Sequence, residues 1–182
     1  DPEAPGLTGL ATLLIPRKDY EIVDNWHVYG LKGTGSKRIV VKDAFVPDHR
    51  VHMIMDGHNT VSPGNIINTA PIYKLPFGQV FTYSVTVAAL GAYKGALEAF
   101  KEYGKTRVSS YGIESKTDPR VQQLIAEVSC DIEEMWNFID VNFENMISKV
   151  SNKEKIKIED RIKYRYQAST IVDRCVAGAS KL

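Results

Sequence analysis

The sequence predicts a mainly helical α+β fold with its two classes of element segregated along the chain: strands over residues 1–60, a connecting loop over 61–78, and a helical bundle over 79–182. Three observations carry this. Short apolar or alternating runs bounded by turn residues fill the first third. Pro63, Pro71 and Pro76 then interrupt regular structure. Beyond them, apolar residues recur every three or four positions in three long segments.

Residues 10–16 and 28–31 are short apolar runs, and residues 38–46 alternate as a half-buried strand ended by Pro47. The first helix, over about residues 79–106, places Val80, Val87, Leu90, Leu97 and Phe100 on one stripe. Ala88, Gly91, Ala92, Gly95 and Ala96 form a small-residue face on which another helix can pack closely. Asp118-Pro119 supplies an N-cap and a first-turn proline for the second helix, whose stripe is Val121, Ile125, Val128, Ile132, Met135, Ile139 and Met146. The third, over about residues 158–182, repeats the pattern with Ile162, Tyr166, Ser169, Val172 and Val176. Three long helices with short connections predict an antiparallel bundle with one groove open for a missing or borrowed fourth helix.

Composition excludes several function classes. A net charge of +1 over 182 residues, with bases interspersed among acids, lacks the basic stripe that nucleic acid requires. The run from Lys153 to Lys157 is broken by Glu154 and reads as a solvated loop. Residues 75–93 carry no charge and are long enough to span a membrane, but Pro76, Gly78, Gln79, Thr82, Ser84 and Thr86 make them too polar for hydrocarbon. Cys130 and Cys175 are too few for a zinc site and are expected as buried free thiols in a reducing compartment, the cytoplasm. His27, His49, His52 and His58 have no partners at ligand spacing, so no metal is predicted. His27, beside Trp26, is a weak candidate for a general base.

Two segments carry chemistry. In residues 26–36, Trp-His-Val-Tyr-Gly-Leu-Lys-Gly-Thr-Gly-Ser, Gly33 and Gly35 allow close backbone approach while Thr34 and Ser36 offer hydroxyls; the same composition also suits a plain chain reversal. At the exit of the first helix, Tyr103-Gly-Lys-Thr-Arg107-Val-Ser-Ser-Tyr111-Gly112 presents a guanidinium fork, which binds oxygens in pairs or else meets the helix's terminal carbonyls.

Together these segments resemble the acyl-CoA dehydrogenase superfamily in its flavin-dependent monooxygenase branch. There a W-H-V-x-G-(L/M)-(K/R)-G-T-G-S turn precedes a V-F-V-P strand end, here Ala44-Phe45-Val46-Pro47, and the Y-x-x-x-R-x-x-(F/Y)-G signature is resembled by Tyr103, Arg107, Tyr111 and Gly112. The resemblance covers nearly the whole chain and is strongest to the oxygenase components of two-component aromatic hydroxylases of the p-hydroxyphenylacetate or phenolic-steroid type. It implies that residues 1–60 are the end of a barrel-like middle β-domain, that helices assemble the protein as a homotetramer or dimer, and that a helical domain and further bundle helix lie beyond the two ends. Residues 1–6 are accordingly expected as a loop entered from an absent strand, and the terminal Ser180-Lys181-Leu182 as a continuing helix and not a peroxisomal address.

For function, the resemblance implies that Arg107 holds the flavin, with Tyr111 packed against it and Ser110, Ser109, Thr34 and Ser36 hydrogen-bonding nearby. Reduced FMN or FAD would come from a separate flavin reductase, react with O₂ to a C4a-hydroperoxyflavin, and transfer one oxygen atom to an aromatic, usually phenolic, substrate. Tyr73, Phe77 and Phe81 are expected in the bundle core or on a substrate-side wall. An acyl-CoA dehydrogenase or oxidase on the same scaffold, and a helical oligomerisation module without catalysis, are the alternatives.

Overall fold

The computed structural model describes residues 9–182, and the loop expected over residues 1–6 lies outside them. The chain divides between Ser62 and Pro63 into two compact units.

In the first unit, β1 (Ala11–Leu13) pairs antiparallel with β4 (Val51–Met53), with Leu13 opposite Val51. Between them in sequence, β2 (Tyr20–Val23) pairs antiparallel with β3 (Arg38–Val41), with Tyr20 opposite Val41. A short α1 (Ile54–Asn59) follows β4. These are two separate two-stranded ladders, and among the described residues no barrel forms. The strand expected over 38–46 ends at Val41 because Asp43 turns left-handed at φ +47°. Residues 28–31 form no strand, since Leu31 is also left-handed at φ +58°. β2 and β4 were too short to stand out by alternation.

In the second unit the prolines begin helical turns instead of breaking them. Pro63 opens α2 (Pro63–Ile67), Pro71 opens a 3₁₀ turn (Pro71–Lys74), and Pro76 caps α3 (Phe77–Gly104). A first-turn residue has no intrahelical use for its N–H, so proline is tolerated there. The cap at Asp118 forms as expected: its carboxylate accepts from Arg120 N at 2.9 Å ahead of α4 (Pro119–Ser151). Arg120, through side-chain and backbone hydrogen bonds, holds the Asp118 carboxyl below its ordinary range. α5 (Ile158–Ala179) completes the bundle.

α4 runs antiparallel to both other helices. Asn142 Nδ2 donates to Tyr83 Oη at 2.7 Å and to Gln167 Oε1 at 2.9 Å, while the Tyr83 hydroxyl donates to Tyr164 O at 3.2 Å. Further along, Arg174 pairs with Asp131 and Glu134, and Lys149 with Asp160. Thr86 Oγ1 lies 3.1 Å from Ala168 O, so α3 and α5 run side by side in the same direction.

The core contains Leu90, Met135, Met146, Ala168 and Ile171. α4 buries its predicted stripe from Val128 to Met146, with Asn142 at the position between Ile139 and Met146 that the apolar pattern skips, while Val121 and Ile125 are half-buried. On α3, Val80 and Val87 are half-buried beside a core line of Tyr83, Leu90, Tyr93 and Leu97 that also contains Gln79 and Thr86. On α5 the prediction chose the wrong face. Ile162, Tyr166 and Val176 are exposed, and the buried residues are Tyr164, Ala168, Ile171, Cys175 and Gly178. Small residues decide this: an added Cβ at Gly178 would lie 1.9 Å from the Tyr93 hydroxyl oxygen, so the ring fits only against a bare backbone.

Three other expectations change. Cys130 is exposed and only Cys175 is buried. Tyr73, Phe77 and Phe81 are exposed, the last two stacked at 5.5 Å between ring centroids, so none is a core plug. The small-residue face around Gly91 and Gly95 has no neighbour within 4 Å of either glycine's added Cβ. Among the described residues, no helix is long and apolar enough to cross a membrane.

Candidate functional site

In the first unit the turn is organised around one carbonyl. Leu31 O accepts from Trp26 Nε1 at 3.0 Å, Thr34 N at 3.2 Å and Thr34 Oγ1 at 2.9 Å. A 3₁₀ turn (Lys32–Thr34) follows, and Gly35 closes it at φ +58°, a conformation that favours glycine. Gly33 has nothing within 4 Å of where a Cβ would stand, so the backbone there is open to approach. Thr34 Oγ1 and Ser36 Oγ lie 3.2 Å apart. The Thr34 proton is committed to Leu31 O, which leaves Thr34 an acceptor and Ser36 a donor. His27 is exposed and, with Trp26, Val28 and Lys32, lines an open depression of about 450 Å³. Trp26, quoted in the sequence motif without a role, ties the turn together through this bond.

In the second unit, the chain leaving α3 folds back on itself. Val108 bridges Glu114, Ser109 N donates to Ile113 O at 2.8 Å, and Ser115 N donates to Arg107 O at 3.0 Å. Gly112 N returns to Ser109 O at 3.0 Å with Gly112 at φ +76°, so Ser110 and Tyr111 form the tip. Both are exposed, Tyr111 almost fully at 91 %. Ser109 is structural, since its hydroxyl oxygen accepts from Ile113 N at 3.0 Å.

Arg107 stands at the base of this loop. Its guanidinium does not cap the helix carbonyls: Nη1 donates to Tyr103 Oη at 2.6 Å, and Cζ lies 5.4 Å from the centroid of the same ring. No carboxylate pairs with it among the described residues. A fork held on one side by a phenol keeps its other N–H donors for oxygen acceptors, a donor set that suits a phosphate. Tyr103, which the sequence reading quoted without a role, thus contacts Arg107 from one helical turn before it.

Thr34, Ser36 and His27 therefore belong to the first unit, and Arg107, Ser110 and Tyr111 to the second. Among the described residues no group of three or more His, Cys, Asp or Glu side chains could hold a metal ion.

Residues 83–182 match the family described as Acyl-CoA dehydrogenase, C-terminal domain. The chain is 36% identical over 173 residues to the flavin-dependent monooxygenase, oxygenase subunit HsaA, of Rhodococcus jostii (strain RHA1), covering 94% of this chain and 45% of that protein. It is 29% identical over 171 residues to the FADH(2)-dependent resorcinol hydroxylase, oxygenase component, of Rhizobium sp. (strain MTP-10005), covering 88% and 42%. The crystal structure of 3-HSA hydroxylase from Rhodococcus sp. RHA1 superposes with a TM-score of 0.82 at 35% identity, over 92% of this chain and 43% of that one. The chain spans less than half the length of these relatives.

Proposed function

The chain belongs to the acyl-CoA dehydrogenase C-terminal-domain family, and on that premise we propose that it is part of the oxygenase component of a two-component flavin-dependent monooxygenase that hydroxylates a phenolic compound. The observation that carries this reading is Arg107, a guanidinium unpaired by any described carboxylate and steered by Tyr103 at the exit of α3. The names of the relatives, monooxygenase and resorcinol hydroxylase oxygenase components, favour this chemistry over dehydrogenation.

Arg107 holds phosphate oxygens of the flavin, with Ser110 as a further donor and Tyr111 as a ring that packs on the cofactor. In the first unit, the Thr34 and Ser36 hydroxyls, bonded to each other, offer acceptor oxygens, and the open backbone at Gly33 admits a planar partner. The two ladders, with exposed Leu13, Ile22 and Ile39, are the edge of a larger β-domain. The flavin, FMN or FAD delivered reduced by a separate reductase, supplies oxygen activation when bound. The protein's part is to position it and to keep water from the reacting face. The site is cytoplasmic, and the assembly is a homodimer or homotetramer.

Anaerobic titration with reduced FMN and with reduced FAD tests the reading. Saturable binding of one of them is expected, with Arg107→Ala weakening it by about tenfold or more, the worth of a charge-assisted pair. On admission of oxygen with a simple phenol such as resorcinol, a hydroxylated product is expected. Absence of reduced-flavin binding to the whole protein would overturn the assignment, and binding unchanged in Arg107→Ala would remove Arg107 from it.

A further inference from the structure

Between α4 and α5, and floored by Tyr93 of α3, lies an open cleft of about 380 Å³. The Tyr93 phenol is its most informative group. The residue is only 3 % exposed, yet its hydroxyl makes no hydrogen bond among the described residues. A polar group so deep in a protein ordinarily has a partner. The hydroxyl rests beside the bare backbone of Gly178, which also lines the cleft, so a partner reaches it from there. Burial, and then the charge of Asp131, push this phenol above its ordinary 10.0, so at neutral pH it is a hydroxyl that both donates and accepts.

The charges along the cleft divide into a paired and an unpaired set. Arg174 on α5 spends Nε on Asp131 at 3.0 Å and Nη2 on both Asp131 and Glu134, two residues of α4. One helical turn before Asp131 is Glu127, and beyond Arg174 the chain reaches Lys181. Because α4 and α5 run antiparallel, Glu127 and Lys181 stand at the same end of the cleft, which both line. They carry opposite charges, yet neither makes an ion pair with any described residue. Glu127 accepts at Oε1 from the neutral carboxamide of Gln123, at 3.1 Å, and Oε2 is left over. We propose that this cleft binds a small zwitterion, an amino acid whose ammonium meets Glu127, whose carboxylate meets Lys181 and which hydrogen-bonds the Tyr93 hydroxyl between them. A simple anion would face three carboxylates, and a simple cation would face Arg174 and Lys181; a molecule carrying both charges answers both. The cleft is at the small end of the range for ligand sites, about 300–1,000 Å³. It uses none of the residues assigned to the flavin and does not rest on that reading.

Equilibrium dialysis of the whole protein against labelled glycine, β-alanine and γ-aminobutyrate tests the cleft. Saturable binding of at least one is expected. Tyr93→Phe, which removes the hydroxyl and keeps the ring, should weaken it about tenfold, and Glu127→Gln and Lys181→Met by at least as much. Methylammonium and acetate, each carrying one of the two charges, should compete at least about tenfold less well than the zwitterion. The exposed Cys130 thiol lines the same cleft while Cys175 is buried, so the bound zwitterion is expected to slow alkylation of Cys130 by N-ethylmaleimide several-fold. Circular dichroism on each variant establishes that the helices are intact, and Arg107→Ala should bind the zwitterion as the unmodified protein does. Binding of none of the three amino acids, unchanged binding in a folded Tyr93→Phe, acetate or methylammonium competing as well as the zwitterion, or an undiminished labelling rate at Cys130 would each overturn the proposal.

Discussion

Tyr103 engages Arg107 with its hydroxyl and with its ring, and the two contacts restrain different motions. The ring limits where the guanidinium plane can lie, and the hydroxyl sets how the fork is turned within that plane. Tyr103→Phe keeps the first and removes the second. Reduced-flavin affinity is expected to fall a few-fold, less than for Arg107→Ala, with the thermal midpoint unchanged because Tyr103 is exposed. A titration beside a melting curve checks both halves, and an affinity equal to wild type would show that the hydroxyl has no positioning role. At this scale the sequence was informative where a residue's chemistry is local. The Asp118 cap and the glycine at position 35 were legible, since each depends on backbone within a few residues. Arg107 was legible as a cation at a helix exit, but its partner was not, because a helix-end arginine can turn to carbonyls, to a phenol or to a ligand with similar local energy.

Among the elements, α5 shows how an apolar pattern can mislead. Both of its faces have apolar residues at helical spacing, and the one with larger, more hydrophobic side chains is the one left exposed. The buried face is lined by Ala168, Cys175 and Gly178 because α3 approaches closely there with Tyr93. Gly178→Ala is accordingly expected to destabilise the protein by about 1–3 kcal/mol through overpacking against the Tyr93 ring tip, measured by urea denaturation. Ala177→Gly, on the exposed side of the same turn, should cost no more than about 1 kcal/mol by propensity alone. Equal losses would argue against the close contact. α3 was misread for a related reason: Tyr83 and Thr86 count as polar in a pattern, yet each is buried with its hydroxyl placed against a carbonyl of α5.

Considered as a whole molecule, the bundle buries groups that are easier to ionise in an unfolded chain. Burial pushes Tyr83, Tyr93 and Tyr164 above their ordinary value of 10.0, with the Asn142 hydrogen bond opposing the rise at Tyr83, and burial likewise raises the Cys175 thiol above 9.0. Below about pH 8 these groups are protonated in both states and contribute no slope. Above it the unfolded chain releases protons first, so stability falls as pH rises. The Lys149 ammonium, held above its ordinary 10.5 by its hydrogen bond to Asp160, acts in the same direction: its contribution is complete below 10.5 and is lost above. The thermal midpoint is therefore expected to be level from pH 7 to 8 and to decline beyond, more shallowly in Tyr83→Phe. A level midpoint through pH 11 would refute this.

Residue order alone specified the long helices and the cap and most of the core stripe of α4. Each of these follows from periodicity or from bonds that close within a few residues. Which side of α5 is covered, that Asn142 belongs inside, and where the Arg107 fork points were settled by folding. Those outcomes depend on which neighbouring helix comes close enough to touch, and groups brought together across 59 or 81 positions, as Asn142 and Tyr164 are with Tyr83, leave no local pattern.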